Sequence, residues 1–289
     1  MLAIVIPYYK INYFEETLKS LSNQTDKRFK VYIGNDASEN DPEEIIEKYS
    51  STLNLVYKKF NDNLGSISLV QQWNRCLELL EDEEWVMILG DDDVLSENFV
   101  EQFYDCYPDF DRKYDVIRFG VFKINEDGKT FSSFYENPKI ESSKKILFCN
   151  KRSSLSEYVF KKSKVASIGF KNFPLGWWSD VLAILEFSNF GNIYSINSSH
   201  VFVRISSSSI SGSQKLDDVK DKAKFLFYNY LIKKSNDKFS KDELNELYNR
   251  IFKTYWNNKK NNEFLIETLK MFSSFRALRL FLKFIFSKL

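Results

Sequence analysis

The run Trp85-Val86-Met87-Ile88-Leu89-Gly90-Asp91-Asp92-Asp93 restricts what this chain can fold into more than any other stretch. Its apolar residues leave no polar face, which predicts a strand buried on both sides, as in a parallel α/β sheet. Three carboxylates then follow without a spacer. Inside a strand they would be costly to desolvate, but at the carboxyl edge of an open α/β sheet they would line the crevice where ligands bind. Oxygen ligands at that edge suit Mg²⁺ or Mn²⁺, and such an ion would neutralise a diphosphate. Taken alone, the triplet reads almost as well as a solvated acidic turn, with Ser96 capping the helix that follows.

The chain before this run gives the acids a context. Leu2 to Ile6 reads as a strand halted by Pro7, and Phe29 to Ile33 and Leu53 to Tyr57 read as two more. Between them lie a helix carrying Phe14, Leu18 and Leu21 with Asn12 as its cap, a helix over Glu43 to Tyr49, and a helix from Ile67 to Leu80. This β-α-β-α-β-α-β order predicts a Rossmann-like, mostly parallel α/β sheet with right-handed crossovers. Asp36, after the second strand, then shares an edge with Asp91, Asp92 and Asp93. That convergence favours a site over a solvated turn.

Beyond Leu95 the periodicity is weaker. A helix to about Tyr107 and a strand from Val116 to Lys123 are legible, and Lys139 to Ser156 reads as an irregular surface segment. Pro174 to Asp180 reads as a turn that presents Trp177 and Trp178 beside one carboxylate. Ser206 to Gly212 and Ser213 form a serine-rich loop or lid. Leu216 onward reads as helices. The expected division is a nucleotide-binding half over 1–95, an acceptor-binding half over 96–214, and a basic helical extension over 215–289.

Charge and cysteine usage narrow the class. The net charge of +1 argues against nucleic acid as a partner. From Lys215 the chain carries 17 Lys and Arg against 9 Asp and Glu, whereas the rest leans acidic. Cys76, Cys106 and Cys149 are too scattered for a zinc site or a disulfide framework, which fits a reducing cytoplasm. The opening residues lack a signal-peptide pattern, and no apolar run is long enough to span a bilayer.

Several stretches together resemble the family 2 glycosyltransferases, inverting nucleotide-sugar enzymes of GT-A fold. They are Ile4-Val5-Ile6-Pro7-Tyr8-Tyr9, Ser20 to Thr25, Asn35-Asp36-Ala37-Ser38, Asn61 to Gly65 with Asn74, Gly90 to Asp93, Asp180, and Arg204 with the serine loop. The resemblance implies a donor site of Pro7, Tyr9, Asp36, Asn63, Gly65, Asp91, Asp92 and Arg204. In it Asp36 meets the nucleobase, Arg204 meets the donor phosphates, and Asp92 and Asp93 hold Mn²⁺ or Mg²⁺ on the diphosphate. It implies Asp180 as the base that activates the acceptor hydroxyl, and Trp177 and Trp178 as an aromatic floor for the acceptor sugar. Two departures stand out: Gly90 replaces the first acid of the usual motif, and Ser206 stands where many relatives carry a metal-contacting His.

The implied function is transfer of a sugar from a UDP- or TDP-type donor to a glycan or lipid-linked oligosaccharide in bacterial surface polysaccharide assembly. Residues 270–289 contain five Lys and Arg and no acid. As a helix they would be amphipathic and basic, suited to an anionic membrane surface, to packing on the catalytic domain, or to a homodimer. A sugar-1-phosphate nucleotidylyltransferase is the rival enzyme, but Pro7-Tyr8-Tyr9-Lys10 is not its Gly-rich phosphate loop. The rival from another class is a non-catalytic GT-A-fold scaffold, which Gly90 and Ser206 favour.

Overall fold

The computed structural model describes residues 1–149, 152–206, 216–259, 262–270 and 275–286. Its first half follows the predicted alternation: β1 (Leu2–Tyr8), α1 (Phe14–Ser22), β2 (Phe29–Asn35), α2 (Glu43–Tyr49), β3 (Leu55–Lys59), α3 (Leu69–Leu77) and β4 (Trp85–Ile88). β1 pairs in parallel with β2 and β4, and β2 with β3. β1 and β4 are wholly buried apart from the half-buried Pro7, as continuous apolar strands between helical layers must be. α1 turns Phe14, Leu18 and Leu21 inward, all fully buried. Each such side chain contributes about 1.5–3 kcal/mol of burial.

Beyond the acids come β5 (Val94–Leu95), α4 (Phe99–Asp105), α5 (Tyr107–Phe110), β6 (Val116–Ile124), β7 (Ile140–Ser142), α6 (Lys145–Phe148), β8 (Tyr158–Lys161), α7 (Lys162–Ile168), α8 (Ser179–Phe187) and β9 (Asn192–Arg204). The sheet runs β3-β2-β1-β4-β8-β6-β9-β5, with β7 also on β9. Past β4 the pairings are antiparallel except for β6 with β9. The open α/β sheet is therefore mixed: parallel where the sequence reads clearly, and largely antiparallel where it does not. Trp85 is 1% exposed and meets the edges of Phe103 and Phe110 at 5.9 and 5.3 Å, which ties β4 to α4 and α5.

Some local expectations are corrected. Tyr13, not Asn12, precedes α1, and no side chain caps that helix. Asn98 rather than Ser96 occupies the cap position of α4, while the Ser96 hydroxyl pairs with Asn98 and Ser199. Lys139 to Ser156 is not irregular throughout, because it contains β7 and α6. Ser206 is buried, and the remainder of the expected lid, 207–213, lies outside the described residues.

The chain divides into two compact units, one of Met1–Asn172 with Asp180–Ser213, the other of Phe173–Ser179 with Gln214–Leu289. The second contains α9 (Asp217–Lys234), α10 (Lys241–Asn257), α11 (Asn262–Lys270) and α12 (Phe275–Phe286). Ser240 and Glu243 form a reciprocal capping box at the start of α10. Among the described residues, no helix is long and apolar enough to cross a membrane.

Candidate active site

The register of the parallel strands sets the site. Tyr8 pairs with Asn35, the Asp36 amide donates to Tyr8 O at 3.0 Å, and the Leu89 amide donates to Val5 O at 2.9 Å. Tyr9, Asp36 and the acid turn after Leu89 therefore emerge along one edge, at the carboxyl ends of β1, β2 and β4.

Asp36 is 4% exposed and organises one end of this edge. It accepts the Leu64 amide at 2.8 Å and the Gly65 amide at 2.9 Å, and it pairs with Arg75 of α3. The Arg75 guanidinium lies 4.0 Å from the Phe60 ring centroid and also donates to Asp62 O at 2.7 Å. The carboxylate thus pins the Asn61–Gly65 loop onto the sheet. Gly65 is required there, since a Cβ at this position would stand 2.4 Å from Asp36 Oδ2. Asn63 folds its own turn by accepting the Ser66 amide at 2.9 Å. Pro7 is half-buried beside Gly34 of β2, and Tyr9 is 43% exposed.

The three acids after β4 have three different environments. Asp91 Oδ2 accepts the amides of Tyr9 and Lys10 at 2.8 and 2.7 Å, so it ties the acid turn to the end of β1. Asp93 is 5% exposed; it accepts the Arg204 amide at 2.8 Å and the Ser156 hydroxyl. Among the described residues no other residue donates a hydrogen bond to the Asp92 carboxylate, and Lys10 and Arg204 supply its nearby positive charge. Burial, and after it the charge of Asp92, pushes Asp91 up to about 6 and Asp93 up to about 7. Burial raises Asp92 as well.

Gly90 explains how the turn accommodates these groups. A Cβ there would lie 3.0 Å from Asp92 Oδ1 and 3.0 Å from Asp93 Oδ2, so both oxygens converge on the space the missing side chain leaves. Among the described residues no three His, Cys, Asp or Glu side chains cluster as a self-sufficient metal cage. Two convergent carboxylate oxygens nevertheless fit a hard cation of the Mg²⁺ kind, which takes one or two carboxylates and completes its shell with phosphate and water.

Arg204, expected to meet the donor phosphates, is a buried bolt. Its side chain has no exposed surface; it donates to Asp92 O at 2.9 Å, Asn125 O at 3.0 Å and Glu126 O at 3.1 Å, and it pairs with Glu16 at 2.5 Å. A guanidinium so engaged has no face left for a phosphate.

Asp180 lies in the first turn of α8, after Ser179, and is half-buried. Burial pushes it up to about 6, against the opposing pull of the Val181 and Asp180 amides and the charge of Arg152. That Arg152 charge also lowers Asp93, and Arg152 itself pairs with Glu157 at 2.5 Å. In the second unit, Trp178 has φ of 70° and stacks on Phe227 at 4.8 Å, while Trp177 carries Lys220 at 5.2 Å from its ring. His200 is surrounded by Phe122, Phe134 and Phe202, and burial lowers its pKa.

Arg75, Arg152 and Ser156 carry the site without having been legible in the sequence. Ser156 is 3% exposed; it accepts the Gly90 amide at 3.1 Å while donating to Asp93. Ser156→Ala leaves both groups unpaired and is expected to destabilise the fold by about 1–3 kcal/mol, read as a lower urea midpoint at unchanged slope.

An open α/β sheet with Asp36 and an acid turn along one edge of its parallel half is the architecture of the GT-A fold. The chain belongs to glycosyl transferase family 2, whose model matches residues 3–160. Among solved structures it is similar to S. aureus TarS 1-349, at 18% identity over 87% of this chain and 72% of that one, with a TM-score of 0.64. The TarS 1-349 complex with UDP-GlcNAc gives a TM-score of 0.67 over the same shares at 18% identity. The complex with UDP gives 0.57 over 88% of this chain and 79% of that one, again at 18% identity. At that identity the likeness establishes the fold. No curated protein matches the chain.

Proposed function

We propose that this glycosyltransferase moves a sugar from a UDP- or TDP-type donor to a hydroxyl of a glycan or lipid-linked oligosaccharide, with inversion, in the assembly of a bacterial surface polysaccharide. The observation that carries the reading is the alignment of Asp36 and the acid turn on one sheet edge, at a spacing set by the β1 register with β2 and β4. The fold likeness to TarS in complex with UDP-GlcNAc supports a uridine diphosphate donor.

Asp36, its carboxylate engaged by the Leu64 and Gly65 amides and by Arg75, would meet the nucleobase through the Asn63–Gly65 loop that it holds in place, with Pro7 and Tyr9 beside the ring. Asp92 and Asp93 would hold Mn²⁺ or Mg²⁺, which supplies charge stabilisation for the departing diphosphate. Asp91 and Ser156 fix the acid turn, and Arg204 is a positioning residue that anchors it from behind. Asp180 takes the proton of the acceptor hydroxyl. Trp177 and Trp178 lie in the second unit, where Lys220 lies over the Trp177 ring and Trp178 stacks on Phe227. Gly90 speaks for catalysis rather than for a scaffold, because it leaves room where two carboxylate oxygens converge.

A base works when deprotonated. With Asp180 raised to about 6, turnover is expected to rise with pH through that value and level off above it. Inversion is tested without knowing the acceptor, by following slow donor hydrolysis with proton NMR. An α-linked donor is expected to release the β-anomer first; initial release of the α-anomer would sink the inverting assignment.

A further inference from the structure

α12 carries a broad apolar face, and among the described residues one flank of it is exposed. Phe281 meets Phe252 at 5.1 Å and Tyr255 at 6.0 Å, and Phe284 meets Phe252 at 6.0 Å and Trp256 at 6.3 Å, so these residues seat the helix on α10. Leu278, Leu282 and Phe286 follow one another at helical spacing along the flank of that face away from Phe284, and they are 38%, 47% and 73% exposed. Arg279 and Lys283, both exposed, border that stripe at the same spacing. No acid occurs anywhere from Lys270 to Leu289. On α11, Ile266 and Leu269 are a further 52% and 53% exposed.

We propose that the outward face of α12 docks on an anionic lipid surface. The packing removes the ordinary reason for an amphipathic helix, since its core-facing work is already done by Phe281 and Phe284. What remains is a narrow apolar stripe with cations along one border, the arrangement that lets leucine and phenylalanine enter the acyl boundary while lysine and arginine reach the headgroups. The sign of the charge selects the partner, because a zwitterionic surface or a neutral protein groove gives the cations nothing to pair with. The helix is far too short to cross the bilayer, so it lies in the interface. The inference concerns the second unit alone and does not depend on the donor site.

The test is flotation of the full chain with phosphatidylcholine vesicles and with mixed phosphatidylcholine–phosphatidylglycerol vesicles at low and high salt. Binding is expected only to the mixed vesicles and to weaken with salt. Arg279→Glu with Lys283→Glu is expected to lower affinity by more than the roughly fivefold that each surface cation contributes, since each change also adds a repelled charge. Leu282→Glu with Phe286→Glu is expected to abolish binding. All four positions are exposed, so folding, checked by circular dichroism, and nucleotide titration should be unchanged. Equal binding to both vesicle types, binding insensitive to either variant, or no binding at low salt would overturn the proposal. So would a dimer of the free chain that the Leu282→Glu, Phe286→Glu variant dissolves, because a second copy would then be the occupant.

Discussion

Asp180→Asn is expected to lower kcat by about 10²–10⁴-fold while donor affinity stays within a factor of about two, the range in which a lost general base acts on chemistry alone. The amide is nearly isosteric and stays at the start of α8, where it still faces the Val181 amide. It cannot take a proton at working pH. The separation of kcat from binding is what distinguishes a base from a structural cap: a cap would show in the thermal midpoint and leave kcat largely intact. Asp180→Glu should keep part of the activity, because it restores a carboxylate at a displaced position. Measuring kcat by diphosphate release and affinity by titration on the same preparations checks both halves. Equal loss of binding and turnover would contradict the role.

Arg204→Ala is expected to destabilise the fold by about 2–4 kcal/mol, read as a drop in urea midpoint at unchanged slope. The pair with Glu16 contributes little to this, since the Glu16 side chain is 52% exposed and solvent screens it. The larger part comes from the carbonyls of Asp92, Asn125 and Glu126, which lose a common donor. Arg204→Lys should recover only a fraction, because an ammonium cannot reach divergent acceptors as a planar fork does. Donor binding should fall in the folded remainder, because the acid turn loses its anchor behind Asp92. A variant with wild-type stability and selectively lost donor binding would restore Arg204 to the phosphates.

The parallel half of the fold was legible because its central strands, β1 and β4, are short continuous apolar runs and helices of clear periodicity alternate with its strands. The antiparallel half was not. β9 includes Ser195, Asn197, Ser198, Ser199 and His200, polar residues that a lone strand would expose, and it is satisfied only by β6, β5 and β7 on either side. β5 has two residues and borrows its identity from β9. The same asymmetry runs through the site. Carboxylates at strand ends declare themselves by chemistry and position. Arg75, Ser156 and Arg152 are ordinary polar residues in a helix and a connecting segment, and their partners lie far along the chain: Arg75 reaches Asp36 and Ser156 reaches Asp93. Arg204 was legible as a position, but its role was not, because a cation's exposure decides whether it binds a ligand or the backbone. Gly90 is the converse case. In the sequence it reads as a missing acid, whereas in the fold its absent side chain leaves the space on which Asp92 and Asp93 converge.

In the proposed function the acid turn at the end of β4 holds a nucleoside diphosphate through a divalent cation. Calorimetric titration of the chain with UDP, TDP, GDP and CDP, each in Mn²⁺ and in EDTA, tests it most directly, since it needs no acceptor. One uridine or thymidine diphosphate is expected to bind in Mn²⁺ and to lose at least about tenfold in affinity in EDTA, consistent with a cation that bridges carboxylates and phosphates. Binding that is equally tight in EDTA would remove the metal from the site, and a folded chain that binds none of the four would contradict the account as a whole.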